Sequence, residues 1–357
     1  MNEPLKTGAV IGILGGGQLG RMLCIAASRL GLRGHIFDPS SAPPAADVAY
    51  ATTSAAYEDE AALRRFAADV DVITYEFENI PTSALDILEN LRPIRPGREA
   101  LRISQDRLTE KDFLTGLGLE TAPYRAVDTR QDLAEAVDAL GLPAILKTRR
   151  FGYDGKGQAR LSTQEDQAPA IADMAGQAAI LEGFISFSKE VSIIGARNSA
   201  GDVACFDPGE NIHQAGILRT TSVPAQINAT QRMDAVLLAA KIMNALDYVG
   251  VMGVELFVTG QGLIVNEIAP RVHNSGHWTQ NGCAVDQFEQ HIRAIANWPL
   301  ADGSRHSDVT MKNLIGNDLD ALEALSSQAG TALHLYGKAE IKPGRKMGHY
   351  NSVRPKS

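Results

Sequence analysis

Residues 251–277 read VMGVELFVTGQGLIVNEIAPRVHNSGH. Val251 to Val258 and Leu263 to Ile268 are apolar runs flanking Gly260-Gln261-Gly262, the pattern of two short strands joined by a three-residue turn centred on Gln261. That register sets Glu255 opposite Glu267. Like charges in a cross-strand pair are destabilising. Oxygen ligands from two strands suit Mg²⁺, which keeps several waters and also takes substrate phosphates. The stretch is therefore either a metal clamp with Glu255 and Glu267 as ligands, or a solvated hairpin whose glutamates bind nothing. Just beyond it, Arg271 and His273 are placed to reach whatever such a metal holds, and His273, Asn274 and His277 together are too polar for a core.

Working outward, the N-terminal part alternates strand and helix. Ala9 to Leu14 is an apolar run, Gly15 to Gly17 follow, and Gln18 to Leu30 has helical apolar spacing. Gly34 to Phe37 and Val70 to Tyr75 are further strands, the first ending at Asp38 and the second running into Glu76-Phe77-Glu78-Asn79. The alternation predicts an α/β class with a parallel sheet covered by helices, in a first domain of roughly a hundred residues. After the break at Arg92 to Gly97, Glu99 to Leu117 reads as one charged helix. Ala144 to Lys147, Ala179 to Glu182 and Glu190 to Gly195 read as strands, and Gln231 to Leu246 and Asp286 to Asn297 as helices. From Asp308 a small terminal unit ends in Leu333 to His349.

The chain of 357 residues is 44% hydrophobic and 21% charged, the composition of an ordinary globular protein with room for two or three domains. A formal charge of −8 argues against general affinity for nucleic acid or anionic membrane, so an anionic ligand must be held by local Arg and Lys clusters. No signal-like start and no apolar run of ~20 residues is evident, and a cytoplasmic location is expected. Cys24, Cys205 and Cys283 lack metal-type spacing and suit a reducing compartment.

Two glycine loops invite anions. Gly15-Gly16-Gly17-Gln18-Leu19-Gly20 fits G-x-G-x-x-G between strand and helix, which brings backbone N–H groups to a phosphate. With Asp38 at the next strand end, a nicotinamide cofactor, another phosphorylated molecule and a plain tight turn all remain open. The second loop, Lys147-Thr148-Arg149-Arg150-Phe151-Gly152-Tyr153-Asp154-Gly155-Lys156-Gly157-Gln158, is not a Walker A sequence. Its backbone donors and ammonium groups suit a polyphosphate. Glu182-Gly183-Phe184-Ile185 ends a strand and is suited to presenting backbone groups to an adenine edge, and Glu190 to accepting from ribose hydroxyls. Lys338 and Arg345 offer an anion site or a basic surface hairpin.

In this order the pieces resemble the ATP-grasp superfamily and, within it, the N5-carboxyaminoimidazole ribonucleotide synthetase family. The carriers are residues 15–22, 75–79, 151–158 and 266–277, with Tyr336-Gly337-Lys338 and Gly344 to His349. The resemblance implies an N-terminal Rossmann-like substrate domain (1–100), an ATP-grasp domain (101–300) with a mobile lid subdomain at about 120–185, and a small C-terminal domain (301–357). It implies ATP contacts from Arg107, Lys147, Gly152, Tyr153, Asp154, Gly155, Lys156, Gly157, Gln158, Glu182, Gly183, Phe184, Ile185, Glu190, His213, Asn266 and Glu267. Mg²⁺ would sit on Glu255 and Glu267, and the first loop would serve 5-aminoimidazole ribonucleotide instead of a dinucleotide. Gly17, Gln18, Leu19, Glu76, Asn274, Ser275, Lys338 and Arg345 would bind that substrate. Tyr153, Lys156, Arg271 and His273 would surround the carboxylate derived from bicarbonate, His273 either taking the amine proton or orienting the carboxylate. A homodimer is implied as well. One departure stands out: many ATP-grasp enzymes carry a metal-binding Asn two residues after the second Glu, and this chain has Ala269 there, with Asn266 on the other side.

Overall fold

The computed structural model describes residues 3–152 and 155–357. The expected parallel sheet is present: strands Val10–Leu14, Arg33–Asp38, Ala51–Ser54 and Val72–Tyr75 lie in the order 51–54, 33–38, 10–14, 72–75, every pair parallel. Strand Ala51–Ser54 is absent from the sequence reading because it is a short edge strand with alternating exposure and carries no apolar run. Helix Gln18–Arg29 begins at the glycine loop, as its spacing predicts.

The rest of the chain builds two antiparallel sheets. The larger has nine strands among the described residues, with the hairpin strand Gly262–Ala269 at one end, then Gly250–Thr259 and Lys189–Arg197. It continues through Gly209–Gln214 and Ile217–Val223 into the C-terminal strands Ser307–Ile315, Lys346–Pro355 and Thr331–Leu335. The C-terminal segment therefore shares a hydrogen-bonded sheet with the hairpin, through pairs such as Thr220 with Lys312. The smaller sheet has strands Tyr124–Val127, Ala179–Gly183, Ala144–Thr148 and Gln158–Leu161, over its own core of Leu133, Val137, Leu146 and Leu181. Leu19, Met22 and Leu23 of the first helix pack in one apolar cluster with Trp278, Phe288, Ile292 and Tyr336. At about 1.5–3 kcal/mol for each large side chain buried, that shared core docks the N-terminal sheet against the C-terminal strands. Among the described residues no helix is long and apolar enough to cross a membrane.

The single helix read over Glu99 to Leu117 is two, Arg98–Ser104 and Arg107–Gly116. Asp106 causes the break. Its carboxylate accepts from the backbone N–H groups of Leu108 (3.0 Å) and Thr109 (3.3 Å), capping the second helix. It is also gripped by both Nε and Nη2 of Arg149 (3.0 and 2.8 Å) and by Arg150 (3.3 Å). A continuous helix would deny Asp106 the extended backbone that these contacts need. Asp106→Ala is expected to lower stability by about 2–4 kcal/mol, the combined cost of a lost cap and an orphaned Arg149. Chemical denaturation checks this, and a loss below about 0.5 kcal/mol would refute the capping account.

Candidate active site

The hairpin places Glu255 opposite Glu267, but by a different route from the one the spacing predicts. The turn has two residues, Gly260 and Gln261, since Thr259 pairs with Gly262. Pairing then runs to Leu256 with Val265, where the register shifts, and Glu255 meets Glu267 in place of Asn266. Asn266 is the extra residue of a β-bulge, a device that re-aims side chains, and Asn266, Glu267 and Glu255 all line one cavity.

That cavity, of about 1150 Å³, runs from the hairpin to the first glycine loop. On the hairpin side Arg107 donates to Glu267 (3.0 Å), and Lys147 pairs with the buried Glu182 (2.9 Å). His213 contacts Glu190 (2.6 Å), at a second register irregularity between Ile212 and His213. Phe187 stacks on Phe257, ring centres 4.5 Å apart, and both join Ile145 and Phe184 in the lining. At the other end Lys338 Nζ donates to Gln18 Oε1 (2.6 Å) and to the Lys346 carbonyl (2.7 Å), closing a contact across 320 positions of sequence. Arg271, ion-paired with Glu78, and His273 lie on the lining with Lys346, Gly344 and Arg345.

The first glycine loop does not present its N–H groups to a phosphate. Gly16 N–H donates to Asp38 (2.7 Å), while Gly17 N–H and Gly20 N–H (2.6 Å) donate to the buried Glu76 carboxylate. A Cβ on Gly17 would sit 2.5 Å from Glu76 Oε1, so this glycine admits an internal carboxylate. The nicotinamide reading fails here, because Asp38 is taken up by the Gly16 N–H and Glu76 by those of Gly17 and Gly20. Burial raises the Glu76 carboxyl despite these donors.

Charge at the clamp is unbalanced. Burial and the facing Glu267 push the Glu255 carboxyl up to about 7. Burial would raise Glu267 too, but Arg107, with Lys147 and Lys111, outweighs it and holds Glu267 below the ordinary carboxylate range. Glu110, buried and near Glu267, is raised to about 8. Burial, Arg271 and Lys346 keep His273 well below its ordinary value, so its ring is neutral. His273 Nδ1 lies against the Ser275 hydroxyl (2.8 Å) and N–H (3.4 Å), and its Nε2 is 3.6 Å from Glu255. An all-oxygen pair with surplus negative charge fits Mg²⁺ and leaves its other positions to phosphate and water. Among the described residues no group of three or more His, Cys, Asp or Glu forms a fuller metal cage.

Of the expected site residues, Gly17, Gln18, Leu19, Glu76, Arg107, Lys147, Gly152, Gly155, Lys156, Gln158, Phe184, Glu190, His213, Asn274 and Arg345 also line the cavity. Gly157, Glu182, Gly183, Ile185 and Ser275 are not among the lining residues; Glu182, Gly183 and Ser275 are buried, and Gly157 is exposed. The Ser275 hydroxyl is instead 2.8 Å from the His273 ring, and the Asn274 amide exchanges hydrogen bonds with Asn313 (3.0 and 2.7 Å). Tyr153 and Asp154 fall outside the described residues. Sequence reasoning missed Glu78, Glu110, Arg149, Phe187, Phe257 and Lys346. Glu78, Arg149, Phe257 and Lys346 stood in quoted stretches without a role; Glu110 and Phe187 show their place only in three dimensions.

Three family models match successive parts of the chain. They are a ribonucleotide synthetase preATP-grasp domain over 9–105, an ATP-grasp domain over 112–288 and a phosphoribosylaminoimidazole carboxylase C-terminal domain over 309–357. An N5-carboxyaminoimidazole ribonucleotide synthase of Brucella melitensis is 53% identical over 356 residues, 99% of this chain and 98% of the relative. The ADP complex of an N5-carboxyaminoimidazole ribonucleotide synthetase superposes with TM-score 0.96 at 41% identity, covering 99% of this chain and 94% of that one. The Aspergillus clavatus synthase in complex with ADP and 5-aminoimidazole ribonucleotide superposes with TM-score 0.91 at 32% identity, over 98% and 94%. The mixed α/β architecture with a parallel N-terminal sheet is common to this chain and those structures.

The Glu255 carboxyl has a pH signature. Its folded pKa of about 7 stands above the ordinary 4.5, so between those values the folded state binds more protons than the unfolded one. Stability of the metal-free protein therefore falls as pH rises through this window. Glu255→Gln removes that contribution and is expected to melt a few degrees above wild type at about pH 8 in EDTA, the gap closing toward about pH 5. Thermal shift across that range is the measurement, and a gap that does not change with pH would contradict the repulsion.

Proposed function

Because the chain belongs to the N5-carboxyaminoimidazole ribonucleotide synthase family, we infer that it is an ATP-dependent carbon–nitrogen ligase of purine biosynthesis. It carboxylates 5-aminoimidazole ribonucleotide with bicarbonate to N5-carboxyaminoimidazole ribonucleotide, giving ADP and phosphate. The observation that carries the reading on this chain is the Lys338–Gln18 contact, inside the cavity that also holds Glu255, Glu267 and Arg107. Nucleotide-type and substrate-type groups share one enclosure. We place the working units at 1–100, 101–300 and 301–357, with a lid subdomain at about 120–185 that contains the smaller sheet.

In the proposed reaction a bicarbonate oxygen attacks the γ-phosphorus of ATP, the bond to ADP breaks, and carboxyphosphate forms. The exocyclic amine then attacks the carboxyl carbon, phosphate leaves, and the amine loses a proton. Mg²⁺, held by Glu255 and Glu267, would supply charge neutralisation at the β- and γ-phosphates when bound. Phosphoryl transfer needs positioning and charge stabilisation more than covalent help. Lys147, Lys156 and Arg107 face the polyphosphate in this reading, the Phe187–Phe257 pair and Ile145 the adenine, and Glu190 and His213 the ribose. Gln18, Leu19, Glu76, Lys338 and Arg345 hold the ribonucleotide. Arg271 pairs with the carboxyphosphate anion. His273, neutral and held at Nδ1 by Ser275, turns Nε2 toward the carboxylate and orients it. The assembly as a homodimer and a cytoplasmic location complete the proposal.

Glu267→Gln is expected to cut bicarbonate-dependent ADP release by about 100-fold or more while the protein stays folded by circular dichroism; turnover within a few-fold of wild type would refute the clamp. Replacing bicarbonate by formate separates this enzyme from a formate-dependent relative, and ADP formation with formate alone would overturn the assignment. Lys338→Ala is expected to raise KM for 5-aminoimidazole ribonucleotide by about 10-fold with MgATP affinity within about twofold, a difference of about 1.4 kcal/mol confined to one substrate. Equal loss of both would remove Lys338 from the ribonucleotide end.

A further inference from the structure

Three consecutive residues of the bulged strand are held by one face of one helix. Helix Arg107–Gly116 presents Arg107, Glu110 and Lys111 at the spacing i, i+3, i+4, which puts them side by side. Arg107 Nη1 donates to the Glu267 carboxylate (3.0 Å), Glu110 Oε1 accepts from Ile268 N–H (2.5 Å), and Lys111 Nζ donates to the Asn266 carbonyl (2.8 Å). Glu110 is 3% exposed and Lys111 1%. Two ionisable side chains buried merely to close a strand edge would be a costly choice, because water or a backbone segment serves that purpose. The neighbouring stretch of the same edge is closed in that cheaper way, by Val265 N–H donating to the Glu120 carbonyl (2.8 Å).

The bulge explains the difference. Strand Gly262–Ala269 is outermost in its sheet, so among the described residues its outer edge has no partner strand to enforce a register beyond the single bridge of Val265 with Thr121. If the regular pairing of Leu256 with Val265 continued, Glu255 would meet Asn266 and Glu267 would turn to the opposite face. The outward carbonyl of Asn266 and N–H of Ile268 bracket the residue that must not slip. We propose that Glu110 and Lys111 are positioning residues of the nucleotide–metal site, locking the bulge that turns Asn266 and Glu267 together into the cavity. The proposal rests on the reading of Glu255 and Glu267 as metal ligands, and it concerns reach and direction at the strand edge.

Mn²⁺ titrated into the protein with a non-hydrolysable ATP analogue, followed by electron paramagnetic resonance, tests this without turnover. 5-Aminoimidazole ribonucleotide affinity, measured without nucleotide, is the control. Glu110→Asp keeps the carboxyl group but retracts the acceptor, and Lys111→Met keeps the buried stem but removes the donor. Both are expected to weaken Mn²⁺ binding by about 10–100-fold, the usual range for groups that orient a metal ligand, with ribonucleotide affinity within about twofold. Glu110→Gln, which keeps an oxygen at the same reach, is expected to restore Mn²⁺ binding to within about threefold of wild type. Wild-type Mn²⁺ binding in Glu110→Asp, or Glu110→Gln as weak as Glu110→Asp, overturns the proposal. Parallel loss of metal and ribonucleotide, or failure of Glu110→Asp to fold, shows a purely structural role and overturns it as well. If Lys111→Met does not fold, the Glu110 pair decides alone. Glu267→Gln run alongside distinguishes the parent reading: unchanged Mn²⁺ binding there removes the metal clamp itself.

Discussion

Two carboxylates held against each other across adjacent strands are the constraint around which the catalytic half is built. Left alone, Glu255 and Glu267 repel, and the facing charge together with burial pushes Glu255 up to about 7. Such an arrangement persists only where the surroundings over-determine it. The helix Arg107–Gly116 does so from the strand edge, and Arg107 keeps Glu267 ionised from the same helix. That helix is itself fixed at its N-terminus by Asp106, whose carboxylate also binds Arg149 directly after the strand that bears Lys147. One capping residue thus ties the helix behind the paired glutamates to the root of the second glycine loop.

The end of the cavity at the first glycine loop uses charge in the reverse sense. A helix N-terminus normally invites an external anion, but here Glu76 fills that position from inside. The loop is left to offer Gln18 and Leu19 side chains, and the cationic groups arrive from the C-terminal segment as Lys338, Arg345 and Lys346. This division depends on the apolar cluster that joins Leu19, Met22 and Leu23 to Trp278, Phe288 and Tyr336. Without that core Gln18 and Leu19 would not face Lys338, Arg345 and Lys346.

Much of this was legible in the residues. The parallel sheet followed from alternating apolar runs, and the opposed glutamates from two apolar stretches around a glycine turn. The turn was read one residue too long, and the missing residue reappears as the bulge at Asn266. Two compensating deviations left the pairing intact, although the physical cause differs. The G-x-G-x-x-G pattern misled in the opposite direction. Its glycines are needed for close approach, as the motif implies, but the approaching group is Glu76, just past a strand and 59 positions beyond Gly17. Spacing reports that something must come close and carries no information about what.

The sequence by itself determined local matters: which segments become strands or helices, where glycine permits crowding, and which short stretches concentrate oxygen, ammonium and imidazole groups. These follow from interactions among neighbours a few residues apart, and they sufficed, with the order of the motifs, to indicate the family. Tertiary structure alone decided the split at Asp106, the inward turn of Glu76, the Lys338–Gln18 contact and the role of Glu110 and Lys111. Each is a charged or amide group choosing a partner far away in the chain. Its energy depends on burial and on a distance of about 3 Å, and neither exists until the sheets have packed.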